Sequence, residues 1–178
     1  MADDSINVAI KVIDRRRLTP KQFDDIMMEV GILQTLDHPN IVRYLETYCD
    51  SQCLYLVMES CTGGELLDHN KKAKNGKKLT EHDVAHIMES CLSAITHAHS
   101  LKIAHRDIKP ENIMWGDDGT VRMVDFGLSV QGKVQMRTVA GTPYFMPPEV
   151  IKGRYDLGCD VWSLGCVFYL LITGKLPF

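Results

Sequence analysis

The stretch that decides the fold is a polar run in the middle of the chain, Ala104-His105-Arg106-Asp107-Ile108-Lys109-Pro110-Glu111-Asn112. Six of its nine residues are His, Arg, Asp, Lys, Glu or Asn, and Ile103 and Ile113 flank it. A loop that only connects two elements rarely needs so many functional groups. The run is therefore the first candidate for chemistry.

A second acidic motif, Asp125-Phe126-Gly127, begins thirteen residues after Asn112. The segment between them contains Gly116-Asp117-Asp118-Gly119, which predicts a hairpin turn. On neighbouring loops, the carboxylates of Asp107 and Asp125 and the amide of Asn112 can hold Mg²⁺, which favours oxygen ligands. Such ions are usually shared with nucleotide phosphates.

Apolar spacing outward from this centre predicts strands in the first third and helices in most of the rest. One helix begins at Pro20 behind a Thr19 cap, and a long one follows Thr80. The apolar face of the first helix is predicted from residues at helical spacing: Phe23, Ile26, Met27, Val30 and Leu33. The apolar stretch from about Cys159 to Thr173 predicts a buried helix that is too short to cross a bilayer. The predicted strands are Val8–Ile13, Ile41–Tyr48, Cys53–Glu59, Ile113–Trp115 and Val121–Val124.

Composition limits the class of protein. The 178 residues are 45% apolar and 24% charged with a net charge of −3, so no broad basic surface for nucleic acid is indicated. The six cysteines show no paired metal-binding spacing and no signal peptide precedes them, which favours reduced thiols and a cytoplasmic protein. The lysine-rich segment 71–78 is interpreted as a solvated loop.

Several motifs in one order resemble protein kinases. The catalytic-loop motif His105-Arg106-Asp107 with Asn112 and the metal-binding motif Asp125-Phe126-Gly127 are both similar to the family's. Val8-Ala9-Ile10-Lys11 resembles its lysine strand. Pro147-Pro148-Glu149 stands where the family has Ala-Pro-Glu, and residues 160–165 resemble the start of its central helix. The chain is identified as similar to eukaryotic-type serine/threonine protein kinase catalytic domains.

The resemblance implies an α+β fold with two lobes. The N-lobe would be small and mostly β (residues 1–58), residues 59–64 would form the hinge, and residues 65–178 would form a mostly helical C-lobe. The family's glycine-rich hairpin before the lysine strand and its last helices have no counterpart in the sequence. A partial kinase domain, cut at both ends, is therefore expected.

The resemblance also assigns roles in ATP-dependent phosphoryl transfer. Lys11 would hold the α- and β-phosphates, oriented by an ion pair with Glu29. Asp107 would accept or orient the substrate hydroxyl proton, and Lys109 would touch the γ-phosphate. His105 would be structural, despite being a histidine.

Cofactor positions follow in the same way, for ATP and Mg²⁺. Asp125 would bind Mg²⁺, and Asn112 a second ion. Glu65 would sit near the ribose. The adenine site would use Ala9, Met58, Glu59, Cys61 and Met114.

Substrate and regulation are further implications. Lys109 and Thr142 are similar to the residues that serine/threonine kinases carry at these positions. Glu65 and Glu111 resemble acidic positions that bind arginine in protein substrates. One hypothesis is that Thr138 is phosphorylated and that Arg106 pairs with the phosphate. The alternative is that Thr138 is an unmodified surface threonine. The overall look is nearest to the calcium/calmodulin-dependent and calcium-dependent group, and any calcium sensor would lie outside this chain because it contains no EF-hand loop.

Two alternatives stay open at this point. The chain derives from an active kinase, or it is a catalytically impaired kinase-like fragment or pseudokinase acting as a binding or regulatory module. A separate feature is His82 and His86, four residues apart on the predicted long helix. That spacing resembles zinc sites, but the glutamate of H-E-x-x-H is absent, so surface histidines are favoured.

Overall fold

A computed structural model describes residues 7–68, 79–132 and 135–178. The predictions about residues 1–6 and the lysine-rich segment 71–78 lie outside the described residues. The strands are β1 (Val8–Asp14), β2 (Tyr44–Cys49), β3 (Cys53–Glu59), β4 (Gly64–Glu65), β5 (Ile103–Ala104), β6 (Ile113–Trp115), β7 (Val121–Met123) and β8 (Val130–Gln131). The helices are α1 (Pro20–Thr35), α2 (Glu81–Ser100), α3 (Pro148–Ile151) and α4 (Gly158–Thr173). The fold is α+β, with a small antiparallel sheet followed by a mostly helical part.

The first sheet has the order β1-β3-β2, and both pairings are antiparallel. Side chains alternate along β1, so Val8, Ile10 and Val12 face outward and are 41–59% exposed. Ala9 and Lys11 therefore point to the opposite side, and Ala9 lies directly across from Met58 of β3. This alternation places the strand lysine on the inner face of the sheet.

Helix α1 begins at the predicted point. The Thr19 and Gln22 side chains cap each other's backbone N–H groups, and Pro20 is the first helical residue. The inner face buries Val30 and Leu33, and it also buries Glu29. Met27, which the spacing assigned to the apolar face, is 43% exposed, so that assignment was wrong.

The predicted strand Ile41–Tyr48 begins later than expected, at Tyr44. Ile41 forms an isolated bridge to Met123, and the Val42 N–H donates to the Met123 carbonyl. The backbone of residues 41–42 is thus hydrogen-bonded to β7 rather than to β3. An apolar run alone does not reveal which sheet it joins.

The segment predicted as the hinge, residues 59–64, contains a turn at Thr62 and Gly63. The Gly63 N–H donates to the Trp115 carbonyl, and a Cβ at this position would collide with Trp115. Gly64 has φ +84°, a conformation that favours glycine. The segment can therefore pass close to β6 only because side chains are missing here.

Helix α2 lies at the centre of the second part and packs on α4 and β7. The main core includes Ile87, Cys91 and Ile95 of α2 with Leu164 and Val167 of α4. Helix α4 is only half buried, however: four of its apolar side chains are 43–52% exposed, which corrects the prediction of a buried helix. They are Val161, Phe168, Tyr169 and Ile172. None of the described helices is long and apolar enough to span a bilayer, and all six cysteines are free thiols.

Candidate active site

Lys11 and Glu29 form the predicted ion pair, with 2.8 Å between Nζ and Oε1. β1 supplies the lysine and the inner face of α1 supplies the carboxylate, whose side chain is only 9% exposed. Asp125 Oδ1 lies 3.8 Å from the same Nζ. The lysine is therefore held between two carboxylates, with its ammonium group near the start of the Asp125-Phe126-Gly127 motif.

Asp107 is the centre of a second cluster. Its Oδ2 accepts a hydrogen bond from Lys109 Nζ at 2.8 Å, and its Oδ1 accepts one from Thr142 Oγ1 at 2.7 Å. Burial alone would raise the pKa of Asp107, but the bonds from Lys109 and Thr142 hold it below the usual carboxyl value. The hydrogen bond between Lys109 and Asp107 also raises the pKa of Lys109. Asp107 is thus a charged carboxylate with a fixed orientation.

The backbone of this loop is held by Asp160 at the start of α4, a residue that is 1% exposed. Its carboxylate accepts the backbone N–H groups of His105 and Arg106, at 2.9 and 2.8 Å, and also contacts His99 Nε2 at 2.8 Å. Burial would raise the pKa of Asp160, but these partners keep it below its usual value. The contacts stabilise Arg106 at φ +68°, a conformation that costs a non-glycine residue about 1–3 kcal/mol.

His105 joins the two motifs. Its Nε2 lies 3.2 Å from the Val124 carbonyl oxygen, and its ring packs on Phe126 with 4.6 Å between centroids. Both rings are buried, as expected for structural residues. A backbone bond from the Val124 N–H to the Asn112 carbonyl, 2.9 Å long, adds to the connection. Asp107 and Asp125 therefore sit on loops that are fastened to each other.

Asn112 and Asp125 offer oxygen atoms of the kind that Mg²⁺ prefers. Asn112 uses its amide nitrogen to contact Asp107, at 2.9 Å to the carbonyl oxygen, which leaves its Oδ1 for a cation. Asp125 adds a carboxylate that is 52% exposed, on a backbone with φ +60°. Within the described residues, no cluster of three or more His, Cys, Asp or Glu could hold a metal. A cation at this point would therefore take its other ligands from water and phosphate, as Mg²⁺ commonly does.

A cleft of about 440 Å³ opens between the sheet and these loops. It contains the residues predicted to contact adenine, together with Lys11, Glu29 and Asp125. Glu65, Asp107, Lys109 and Asn112 are not among its lining residues, although Met114, the strand partner of Glu65, is. The lining residues are Ala9, Lys11, Glu29, Leu33, Val42, Met58, Glu59, Ser60, Cys61, Met114, Val124, Asp125 and Phe126. The cleft is apolar at the Met58–Met114 end and charged at the Lys11–Asp125 end, which suits a base with attached phosphates.

Comparison with known proteins agrees with this geometry. The family profile described as "Protein kinase domain" matches residues 1–178. The chain belongs to the protein kinase family.

Relatives of this kinase domain include calcium-regulated enzymes. It is 41% identical over 175 residues to Calcium-dependent protein kinase 5 of Plasmodium berghei, covering 96% of this chain and 30% of the relative. Calcium/calmodulin-dependent protein kinase type 1 of Macrobrachium nipponense is 39% identical over 181 residues, which cover 99% of this chain and 51% of the relative. Calcium-dependent protein kinase 4 of Arabidopsis thaliana is 39% identical over 181 residues, which cover 98% of this chain and 36% of the relative. The kinase domain thus spans about a third to a half of the length of these relatives.

Sequence reasoning missed two kinds of site residue in the kinase domain. Val42 and Leu33 line the cleft, but their apolar character signals only a core position. Asp160 was recognised as part of a helix motif, not as the group that holds the catalytic loop. Its partners are 54 and 55 residues away along the chain, so no local pattern connects them.

Three of the predicted substrate and regulatory residues, Glu65, Glu111 and Thr138, lie on the surface. Glu65 and Glu111 are both exposed. The Thr138 side chain is exposed as well, and its carbonyl accepts a hydrogen bond of 2.5 Å from the Tyr155 hydroxyl. Arg106 Nη1 lies 3.2 Å from the same hydroxyl, so one tyrosine connects Arg106 with Thr138.

Proposed function

We propose that this kinase domain transfers the γ-phosphate of ATP to serine or threonine hydroxyls of protein substrates. One observation carries the proposal: Asp107, held by Lys109 and Thr142, lies on a loop that is hydrogen-bonded to Val124, next to the Asp125 that faces Lys11 in the cleft. A site of this kind stabilises charge and positions reactants, which is what phosphoryl transfer requires.

The chain's own residues divide the work. Lys11, fixed by Glu29, binds phosphate oxygens in the cleft. Asp107 stays ionised because its pKa is held low, so it is a weak base. It orients the substrate hydroxyl in the ground state and takes the proton only as the new bond to phosphorus forms. Mg²⁺ on Asp125 and Asn112, when bound, neutralises phosphate charge.

The first experiment measures phosphate transfer from γ-labelled ATP and Mg²⁺ to paired peptides that differ only in a serine or a tyrosine acceptor. We expect labelling of the serine peptide and none of the tyrosine peptide. Asp107→Asn should abolish transfer, whereas binding of a non-hydrolysable ATP analogue should remain. Nucleotide binding without any transfer by the unchanged protein would instead favour a catalytically impaired module.

Substrate selection is proposed to depend on two exposed glutamates, Glu65 and Glu111. Both are exposed and neither makes an ion-pair contact with a described cation, although Glu111 lies near enough to Lys109 to interact with its charge, so both are available to arginine side chains. Replacing either by glutamine should raise KM for an arginine-containing serine peptide and leave kcat nearly unchanged. The matched control is the same peptide with arginine replaced by citrulline, for which the variants and the original protein should have similar KM values. An equal rise in KM for both peptides would contradict the proposal.

Regulation is proposed to act through Thr138. A phosphate on this exposed side chain would attract the Arg106 guanidinium, which already reaches the neighbouring Tyr155 hydroxyl. Thr138→Ala should therefore prevent activation by an upstream kinase, whereas Thr142→Ala should lower activity in both states. Unchanged activation of Thr138→Ala would refute the switch.

A calcium sensor, if this kinase has one, is proposed to lie outside the 178 residues. The names of several relatives include calcium dependence, but no EF-hand loop occurs in this sequence. The isolated chain should therefore have the same activity with calcium and with a calcium-selective chelator.

A further inference from the structure

His82 and His86 lie four residues apart on the outer face of α2, far along the chain from the catalytic motifs. Their two Nε2 atoms are 3.2 Å apart, and the rings meet at an interplanar angle of 79°. Residues at this spacing share one face of a helix, so the approach follows from the helix itself. Both side chains are exposed.

The separation of the nitrogens suits a shared metal ion. Imidazole nitrogen binds Zn²⁺ at about 2.0–2.1 Å, and two nitrogens 3.2 Å apart at that distance subtend about 100° at the ion. That angle lies between the square-planar and tetrahedral values, which are the geometries that imidazole-binding transition metals adopt. Neither ring would have to leave its helix face.

Glu89 supplies a further feature of such sites. Its Oε2 lies 3.6 Å from His86 Nδ1, on the side of the ring opposite the shared position. At 3.6 Å the carboxylate is outside hydrogen-bond distance, but its negative charge favours the tautomer with hydrogen on Nδ1, which leaves the lone pair of Nε2 for an ion. Only His82 then has to move its ring proton when the ion enters.

We propose that His82 and His86 form a surface binding site for a divalent transition metal of the Zn²⁺, Ni²⁺ or Cu²⁺ class. Within the described part of the chain, no third His, Cys, Asp or Glu completes a cluster with them. Water therefore fills the remaining positions, and the site is open and exchangeable. Glu81, Asp83 and Glu89 add negative charge around it, which offsets the unfavourable positive end of the helix dipole.

The test is a titration of the full chain with Zn²⁺ alone, followed through the ring nitrogens by NMR. The Nε2 signals of His82 and His86 should shift together and saturate at one equivalent. His82→Asn and His86→Asn should each weaken this binding at least about tenfold, and Glu89→Gln should weaken it by a smaller factor. Circular dichroism of each variant establishes that α2 remains folded.

A matched control keeps the number of histidines constant. In the double variant His86→Asn, Thr96→His, the second ring moves to an exposed position fourteen residues from His82, roughly 21 Å along the helix. This variant should bind no more tightly than His86→Asn. If it retains the original affinity, or if the single variants do, the proposed chelate does not exist and the metal binds elsewhere.

Discussion

Replacing Asp160 by asparagine removes one acceptor from the centre of the loop-holding contacts. The side chain keeps its shape, but an NH2 group replaces one of the two carboxylate oxygens. In the original protein, Asp160 Oδ2 contacts His99 and His105, and Oδ1 lies 2.8 Å from the Arg106 nitrogen. If asparagine keeps its oxygen toward His99 and His105, its NH2 group faces the Arg106 N–H. Two donors then face each other in a site that is 1% exposed.

The cost can be worked from these contacts. Loss of a hydrogen bond to a charged group costs about 2 kcal/mol, and the two remaining bonds each weaken by about 0.5 kcal/mol because the acceptor is no longer charged. The free energy of unfolding should therefore decrease by about 3 kcal/mol. Arg106 also loses a contact that stabilises its left-handed backbone, so Asp107 should move and kcat should fall on the order of 10²-fold.

The assay is urea unfolding followed by circular dichroism, with steady-state kinetics on the same preparations. Asp156→Asn is the matched control, because this exposed residue accepts the Gly158 N–H through one oxygen that asparagine retains. It should change the unfolding free energy by less than about 0.5 kcal/mol. If Asp160→Asn has as small an effect as Asp156→Asn, the buried carboxylate does not hold the loop.

Three further predictions concern the site and its supports. Lys11→Met should reduce phosphate transfer about 10²-fold or more while circular dichroism shows an unchanged fold, because the lysine is proposed to bind phosphate and its side chain is 40% exposed; transfer within twofold of the original would contradict that role. Gly141→Ala should destabilise the protein by about 2 kcal/mol or more, because φ is +113° and the new Cβ would collide with the Arg106 carbonyl. Gly165→Ala in α4 is the control: its Cβ meets no neighbour, so it should be neutral or slightly stabilising in the same urea assay. In the folded protein the pKa values of Asp107 and Asp160 lie below the usual carboxyl value. The stabilisation that their ionised forms provide is therefore complete above about pH 4, the pKa of an unfolded carboxyl group, and is lost as the pH falls through the lower pKa values of the folded state. Unfolding free energy should decrease on acidification below about pH 4, less steeply in Asp160→Asn, and equal slopes would refute the assignment.

Short motifs predicted the centre of the site because they fix groups within one loop. Asp107 and Asn112 contact each other within one turn, and the short hairpin that follows returns the chain so that Val124, beside Asp125, is hydrogen-bonded to Asn112. The cap at Thr19 and the glycines at residues 63–64 were predictable for the same reason. Each depends on contacts within a few residues or on backbone conformations that few residue types allow.

Long-range choices were not predictable from the sequence. Residues 41–42 look like a continuation of β2, yet the backbone on either side of Ile41, at Asn40 and Val42, is hydrogen-bonded to Met123 of β7. Apolar character also does not reveal whether a face is covered, so Met27 and one side of α4 were wrongly assigned to the interior. Asp160 carries no local sign of its partners, since a buried acid and a helix-capping acid look alike in a sequence.

The sulfur atoms of the cleft have a consequence for chemical probes. Cys61 lies beside Met58 and Met114 where the base of a nucleotide would bind, and burial together with the nearby Glu59 raises the pKa of its thiol. Little thiolate is present at neutral pH, so an electrophile would react slowly on simple collision. An inhibitor carrying a mild electrophile would therefore react selectively with Cys61 because of its long residence time in the cleft. Covalent labelling of Cys61 could then report occupancy of this pocket directly.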